Sequence, residues 1–212
     1  MNSKLVRRSK SKQNGRPQPA WDVALLYPNQ GVWTEEDYFA LETNHLVELS
    51  DGRIEVLPMP TPLHQWIVLY LYRLLHAFAE PKLGLVLTAP LPVRLWPGKI
   101  REPDVVLMLR KNRGRIAERY WNAPDLAMEV VSEEKKGRQG RRRDLVEKRA
   151  EYARAGIGEY WIVDPKKREI IVLCLKGQAY EVHGVFKKGM ASSRLLPGFM
   201  LEVACVFSGP EL

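Results

Sequence analysis

The chain has little to build a redox or soft-metal centre from. Two of its 212 residues are cysteine, Cys174 and Cys205, and each lies among apolar neighbours, so two buried strand thiols are expected rather than a disulfide framework or a zinc site. The four histidines, 45, 64, 76 and 183, show no ligand spacing, which argues against a histidine-rich metal centre. There is no glycine-rich phosphate loop, nucleophile elbow or dinucleotide fingerprint. No apolar run approaches the roughly 20 residues that span a bilayer, and the N-terminus has no apolar core of a secretory signal. A cytoplasmic protein without a membrane partner is therefore expected. No internal repeat is visible.

Acids are absent from the start of the chain. Lys4, Arg7, Arg8, Lys10, Lys12 and Arg16 all precede Asp22, so six of the eight net positive charges lie there. Residues 1–20 read as a basic, disordered tail, either a solubilising extension or a sequence-independent attractor of nucleic acid. Residues 21–212 suit one domain with a proper core, at 45% hydrophobic and 27% charged residues.

What is present is a mixed pattern of strands and few helices, which argues α/β or α+β with one main sheet. Thr34 followed by acids caps a short helix from Trp33 to Leu41. Asp51-Gly52 between alternating apolar residues marks a hairpin joining 46–48 to 53–57. A 3.6-residue apolar period predicts a helix over 64–80. Strands are expected at 85–93, 105–109, 126–131, 160–163, 169–175, 179–185 and 200–206. Residues 110–119 read as a basic loop, 132–143 as a charged flexible loop, and 144–155 as a helix stopped by Gly156.

Three charges interrupt this apolar pattern. Asp104 follows Pro103 at the entry of Val105–Leu109, and Glu129 sits inside Leu126–Val131. A carboxylate in a buried strand needs a partner or a metal, since desolvating it alone is costly. Period two puts Ala127, Glu129 and Val131 on one face of the strand and Leu126, Met128 and Val130 on the other. On the following helix Leu145, Lys148, Arg149 and Tyr152 share one face, which turns Lys148 inward. Two acids and a lysine make a site for a hard divalent cation and a phosphate. Glu48, between Val47 and Leu49, is a further candidate acid. His64 reads as an ordinary helix-start or surface histidine. Asp125 and Asp164 suit turns. The cluster Arg138 to Arg143 suits either a solvated loop or a phosphate contact.

The run from Pro103-Asp104 through Asp125-Leu126-Ala127-Met128-Glu129-Val130-Val131-Ser132 to Tyr160-Trp161-Ile162-Val163-Asp164-Pro165 resembles the Uma-two family, placed among the PD-(D/E)XK restriction-endonuclease-like nucleases. Glu48 to Glu55, followed by His64, resembles the family's N-terminal signature. The resemblance covers roughly residues 30 to 205. It implies a restriction-endonuclease-like fold, a mixed central β-sheet flanked by helices. It also implies a Mg²⁺-dependent endonuclease hydrolysing DNA, with Mn²⁺ an alternative ion. Asp104 and Glu129 match the metal-binding acids and Glu48 the helper acid. The superfamily lysine expected two residues after the second acid is Val131 here, and Lys148 is the natural stand-in. Arg141, Arg142 and Arg143 are the expected nucleic-acid contacts, and a homodimer is expected by analogy. The rival readings are a nuclease-like module that binds nucleic acid without cutting it, and a structural protein in which the three charges form an ion-pair network.

Overall fold

The computed structural model describes residues 30–41, 45–80, 82–132 and 146–209. The basic tail, Asp144, Leu145 and the arginines at 141–143 lie outside them. The central element is a six-stranded mixed sheet. Its strands are β3 (Gly84–Thr88), β6 (Val105–Leu109), β8 (Leu126–Val130), β9 (Glu159–Asp164), β10 (Glu169–Lys176) and β11 (Ala179–Phe186), in the order β11-β10-β9-β8-β6-β3. All neighbours are antiparallel except β8 and β9, which run parallel. A parallel pair needs a crossover, and the helix α3 (Lys148–Ala155) lies within it.

A second, five-stranded sheet lies beside the first. It contains β1 (Val47–Ser50), β2 (Arg53–Val56), β4 (Val93–Trp96), β5 (Lys99–Arg101) and β7 (Trp121–Asn122), in the order β2-β1-β5-β4-β7. The six-stranded sheet is the main sheet expected from sequence, and this second sheet was not foreseen. The short pair β12 (Met190–Ser192) and β13 (Met200–Glu202) completes the strands.

The helices form where the local chemistry directs. Thr34 and Asp37 make a reciprocal capping box around α1 (Glu35–Phe39). Thr61 accepts from the His64 N–H and Pro62 occupies the first turn of α2 (Pro62–Ala79). Helix α2 buries Ile67, Val68, Leu71, Leu75 and Ala79 against one face of the central sheet, each larger side chain stabilising by roughly 2 kcal/mol. The alternation of β8 decides which core each residue joins. Leu126, Met128 and Val130 enter the core beneath α2, whereas Ala127 and Val131 enter the core that holds Tyr152 of α3.

Three expected elements differ. The span 85–93 divides into β3, ending at Thr88, and β4, starting at Val93, because Pro90 and Pro92 cannot donate to a ladder. The span 200–206 is a strand only to Glu202, and Val203–Val206 forms the helical turn α4. The basic loop after β6 begins as a 3-10 turn, Arg110–Arg115. Cys174 is half-buried in β10 and Cys205 is exposed on α4, so the expected pair of buried strand thiols is not what forms.

Candidate active site

Strands β6 and β8 pair with Val105 opposite Met128. Asp104 lies immediately before β6, at the end of the sheet where Glu129 and Val130 sit on β8. The Oδ2 of Asp104 accepts the Val130 N–H at 2.7 Å, so a side-chain oxygen supplies the acceptor at this end of the sheet. The Asp104 carboxylate therefore lies against the backbone of the residue that follows Glu129, at one end of the central sheet.

Glu129 faces α3. Its Oε1 accepts from Lys148 Nζ at 2.7 Å and from the Tyr152 hydroxyl at 2.6 Å. Lys148 is buried and also lies 3.8 Å from Oε1 of Glu48, itself fully buried on β1. Burial, then the charge of Glu129, pushes the Tyr152 phenol well above its usual range, so it remains a donor. Val131, two residues after Glu129, is buried in the same core as Tyr152. The lysine ammonium is thus delivered from the helix, not from the strand.

His64 is not the surface residue expected from sequence. The cap at Thr61 aims it at the end of the sheet, with Nε2 3.3 Å from Oδ2 of Asp104. Burial pulls its pKa down, but the hydrogen bond and charge of Asp104, then the charge of Glu129, outweigh this and leave it raised. Its Nδ1 is buried without a hydrogen-bond partner among the described residues. His64 also lines a small cleft with Thr61, Leu63, Val131, Ser132 and Pro165.

Other charges around the site escaped the sequence reading. Arg101, at the end of β5, donates to Glu48 Oε2 at 2.6 Å and to both oxygens of Glu151 on α3. Lys99 reaches Glu151 Oε1 at 2.6 Å. Glu102 accepts from the Val47 N–H and the Tyr38 hydroxyl. Burial, reinforced by the charge of Glu48, raises its pKa to about 7. The only sequence signal for these residues was a Lys-Ile-Arg-Glu run directly before Pro103-Asp104. Asp125 serves a turn, as expected, accepting from the Leu109 N–H and the Asn112 amide. Arg141, Arg142 and Arg143 lie outside the described residues.

Among the described residues no group of three or more His, Cys, Asp or Glu side chains is arranged to hold a metal ion. Two carboxylates are present in Asp104 and Glu129, and Mg²⁺ asks for one or two, completing its shell with waters and phosphate oxygens. The hard oxygen donors fit that ion class.

A mixed central sheet flanked by helices, with a second sheet beside it, defines a restriction-endonuclease-like fold. Residues 35–204 match the Uma2 family, described as "Putative restriction endonuclease", and the chain belongs to that family. It is also similar to a crystal structure described as a "putative nuclease belonging to DUF820" from Anabaena variabilis ATCC 29413. The TM-score is 0.66 at 18% identity, covering 83% of this chain and 98% of that one, a likeness of fold. No curated protein matches. No helix among the described residues is long and apolar enough to cross a membrane.

Proposed function

We propose that this chain is a divalent-metal-dependent endonuclease hydrolysing phosphodiester bonds of DNA. The observation that carries the reading is the hydrogen bond of the Asp104 carboxylate to the Val130 N–H, beside Glu129, with Lys148 held on Glu129. Asp104 and Glu129 would hold Mg²⁺ or Mn²⁺. When bound, such an ion neutralises phosphate charge and makes water more acidic.

The chain's own residues supply the rest. Lys148 presents a fixed positive charge where a phosphorane-like transition state gains negative charge, and a pre-oriented charge in a dry site costs no reorganisation. Glu48 faces the same ammonium and limits where it can go. Tyr152 donates to Glu129 and fixes the carboxylate plane. His64 holds Asp104 from the side of the cleft. In hydrolysis water adds to phosphorus and a P–O bond breaks, and the leaving oxygen takes up a proton.

The test is purified full-length protein with supercoiled plasmid in Mg²⁺ or Mn²⁺, beside Asp104→Ala. Nicking or linearisation by wild type, absent in a folded Asp104→Ala, is the expected result. No cleavage in either metal, with the variant indistinguishable from wild type, overturns the reading. DNA binding without cleavage would favour the non-cutting module instead.

A further inference from the structure

Arg101 joins two elements that must agree for Lys148 to face Glu129. Its side chain is 3% exposed. Nε and Nη2 donate to Oε2 and Oε1 of Glu151 at 2.8 and 2.9 Å, a two-pronged bond in which guanidinium and carboxylate geometries match. Nη1 donates to Glu48 Oε2 at 2.6 Å. One side chain therefore ties β1 to α3. Lys99 strengthens the same grip, with Nζ 2.6 Å from Glu151 Oε1 and 2.7 Å from Ser50 Oγ. Burial disfavours the charge on Arg101, but Glu48 and Glu151 outweigh it and hold the guanidinium protonated.

Helix α3 has little of its own to fix Lys148. Its α-helical part, Lys148–Ala155, is eight residues, shorter than the about 12–15 needed for a helix to persist alone, and residues 146–147 directly before it form a π turn. Its N-cap, Glu147, is in the αR region and makes no side-chain cap bond. Glu151 lies three residues after Lys148 and so on the same side of the helix.

We propose that Arg101 is a positioning residue for Lys148: by gripping Glu151 on α3 and Glu48 on β1, it sets the ammonium between Glu48 and Glu129. This rests on the nuclease reading above. Arg101 touches neither acid proposed to hold metal, and it acts through Lys148. A purely structural ion cluster would hold the fold together without any special relation to that lysine.

The test compares wild type, Arg101→Lys, Lys148→Met and the double variant by kcat and KM for plasmid nicking in Mg²⁺. Hydrogen exchange of the α3 amides is measured alongside. Arg101→Lys keeps the charge and loses the two-pronged geometry. It is expected to lower kcat about 10- to 100-fold with little change in KM, as small misplacements do. It should add nothing further in the Lys148→Met background, because the residue it positions is gone. Amides of 148–155 should exchange faster in Arg101→Lys while those of β8 do not change. Should Arg101→Lys fail to fold, Glu151→Gln releases the same grip from the other side and carries the same expectations. Wild-type kcat in the folded variant, losses that multiply in the double variant, or unchanged α3 exchange would each overturn the proposal. Wild type that cleaves nothing removes the nuclease reading and, with it, any effect of Arg101 on cleavage, while exchange still decides whether Arg101 holds α3.

Discussion

The Nζ of Lys148 lies 2.7 Å from Oε1 of Glu129, and the two side chains are 3% and 5% exposed. A buried ammonium is expensive unless it is paired, and here it has Glu129 as a direct partner and Glu48 at 3.8 Å. Val131, two residues after Glu129, is buried in the same core as Tyr152. The end of β8 supplies an apolar side chain to this core and the helix supplies the cation.

That pairing has a stability consequence. Lys148→Met removes the cation and leaves buried carboxylates on Glu129 and Glu48 in reduced company. Breaking a buried pair by deleting one partner costs roughly 3–5 kcal/mol, which urea unfolding would read directly. The double variant Lys148→Met/Glu129→Gln removes both charges of the pair and should recover part of the loss. A single variant that unfolds within about 1 kcal/mol of wild type would show that the pair is effectively solvated, the usual worth of an exposed one.

Asp104→Asn separates the structural from the metal-holding role of that residue. The amide oxygen can still accept the Val130 N–H, so the junction of β6 and β8 should survive and the melting temperature should shift by only a few degrees. The negative charge is lost, and Mn²⁺ affinity measured by calorimetry should fall about 100-fold or more, at or beyond the upper end of supporting-residue losses at metal sites. Wild-type affinity in this variant would remove Asp104 from the metal-holding set.

Some of this molecule was legible from local chemistry alone. The capping box at Thr34, the Asp51-Gly52 turn and the two-faced alternation of β8 each follow from a few adjacent residues, and each forms as read. Glu129 and Lys148 were visible as charges in apolar settings. Lys99, Arg101 and Glu102 were not, because a run rich in charge reads as exposed. Its burial follows from β5 lying between β1 and β4, a pairing between residues about 50 apart along the chain. His64 was misread for a similar reason. The cap at Thr61 is local, but the Asp104 carboxylate it meets lies on a different element. The apolar run 200–206 was read as strand throughout, since periodicity does not separate short strand from helix there.

The hairpin that carries Glu48 depends on Gly52. Asp51 and Gly52 both have positive φ, at 50° and 75°, the backbone a tight hairpin turn requires. A Cβ on Gly52 would lie 2.6 Å from the Gly31 carbonyl oxygen, while the Gly52 carbonyl accepts from the Gly31 and Trp33 N–H groups. Gly52→Ala is therefore expected to destabilise by about 1–3 kcal/mol, from strain plus loss of this close approach. Chemical denaturation checks it, and a neutral result would mean that residues 31–33 move away at no cost.

The two cysteines should differ sharply in reactivity. Cys205 is exposed on α4, whereas Cys174 is half-buried with its Sγ 3.6 Å from Glu159 Oε2. Burial, then the charge of Glu159, pushes the Cys174 thiol up to about 11. The thiolate is the reactive form, so at pH 8 only roughly one Cys174 in a thousand is ionised, and the fraction grows about tenfold per pH unit until it nears that value. Iodoacetamide labelling of the native protein, followed by peptide mass mapping at pH 7, 8 and 9, should show Cys205 modified first throughout and Cys174 gaining steeply toward pH 9. Equal labelling at pH 7 would mean that Glu159 does not hold the Cys174 thiol protonated, and that β10 opens at this position faster than the reagent reacts.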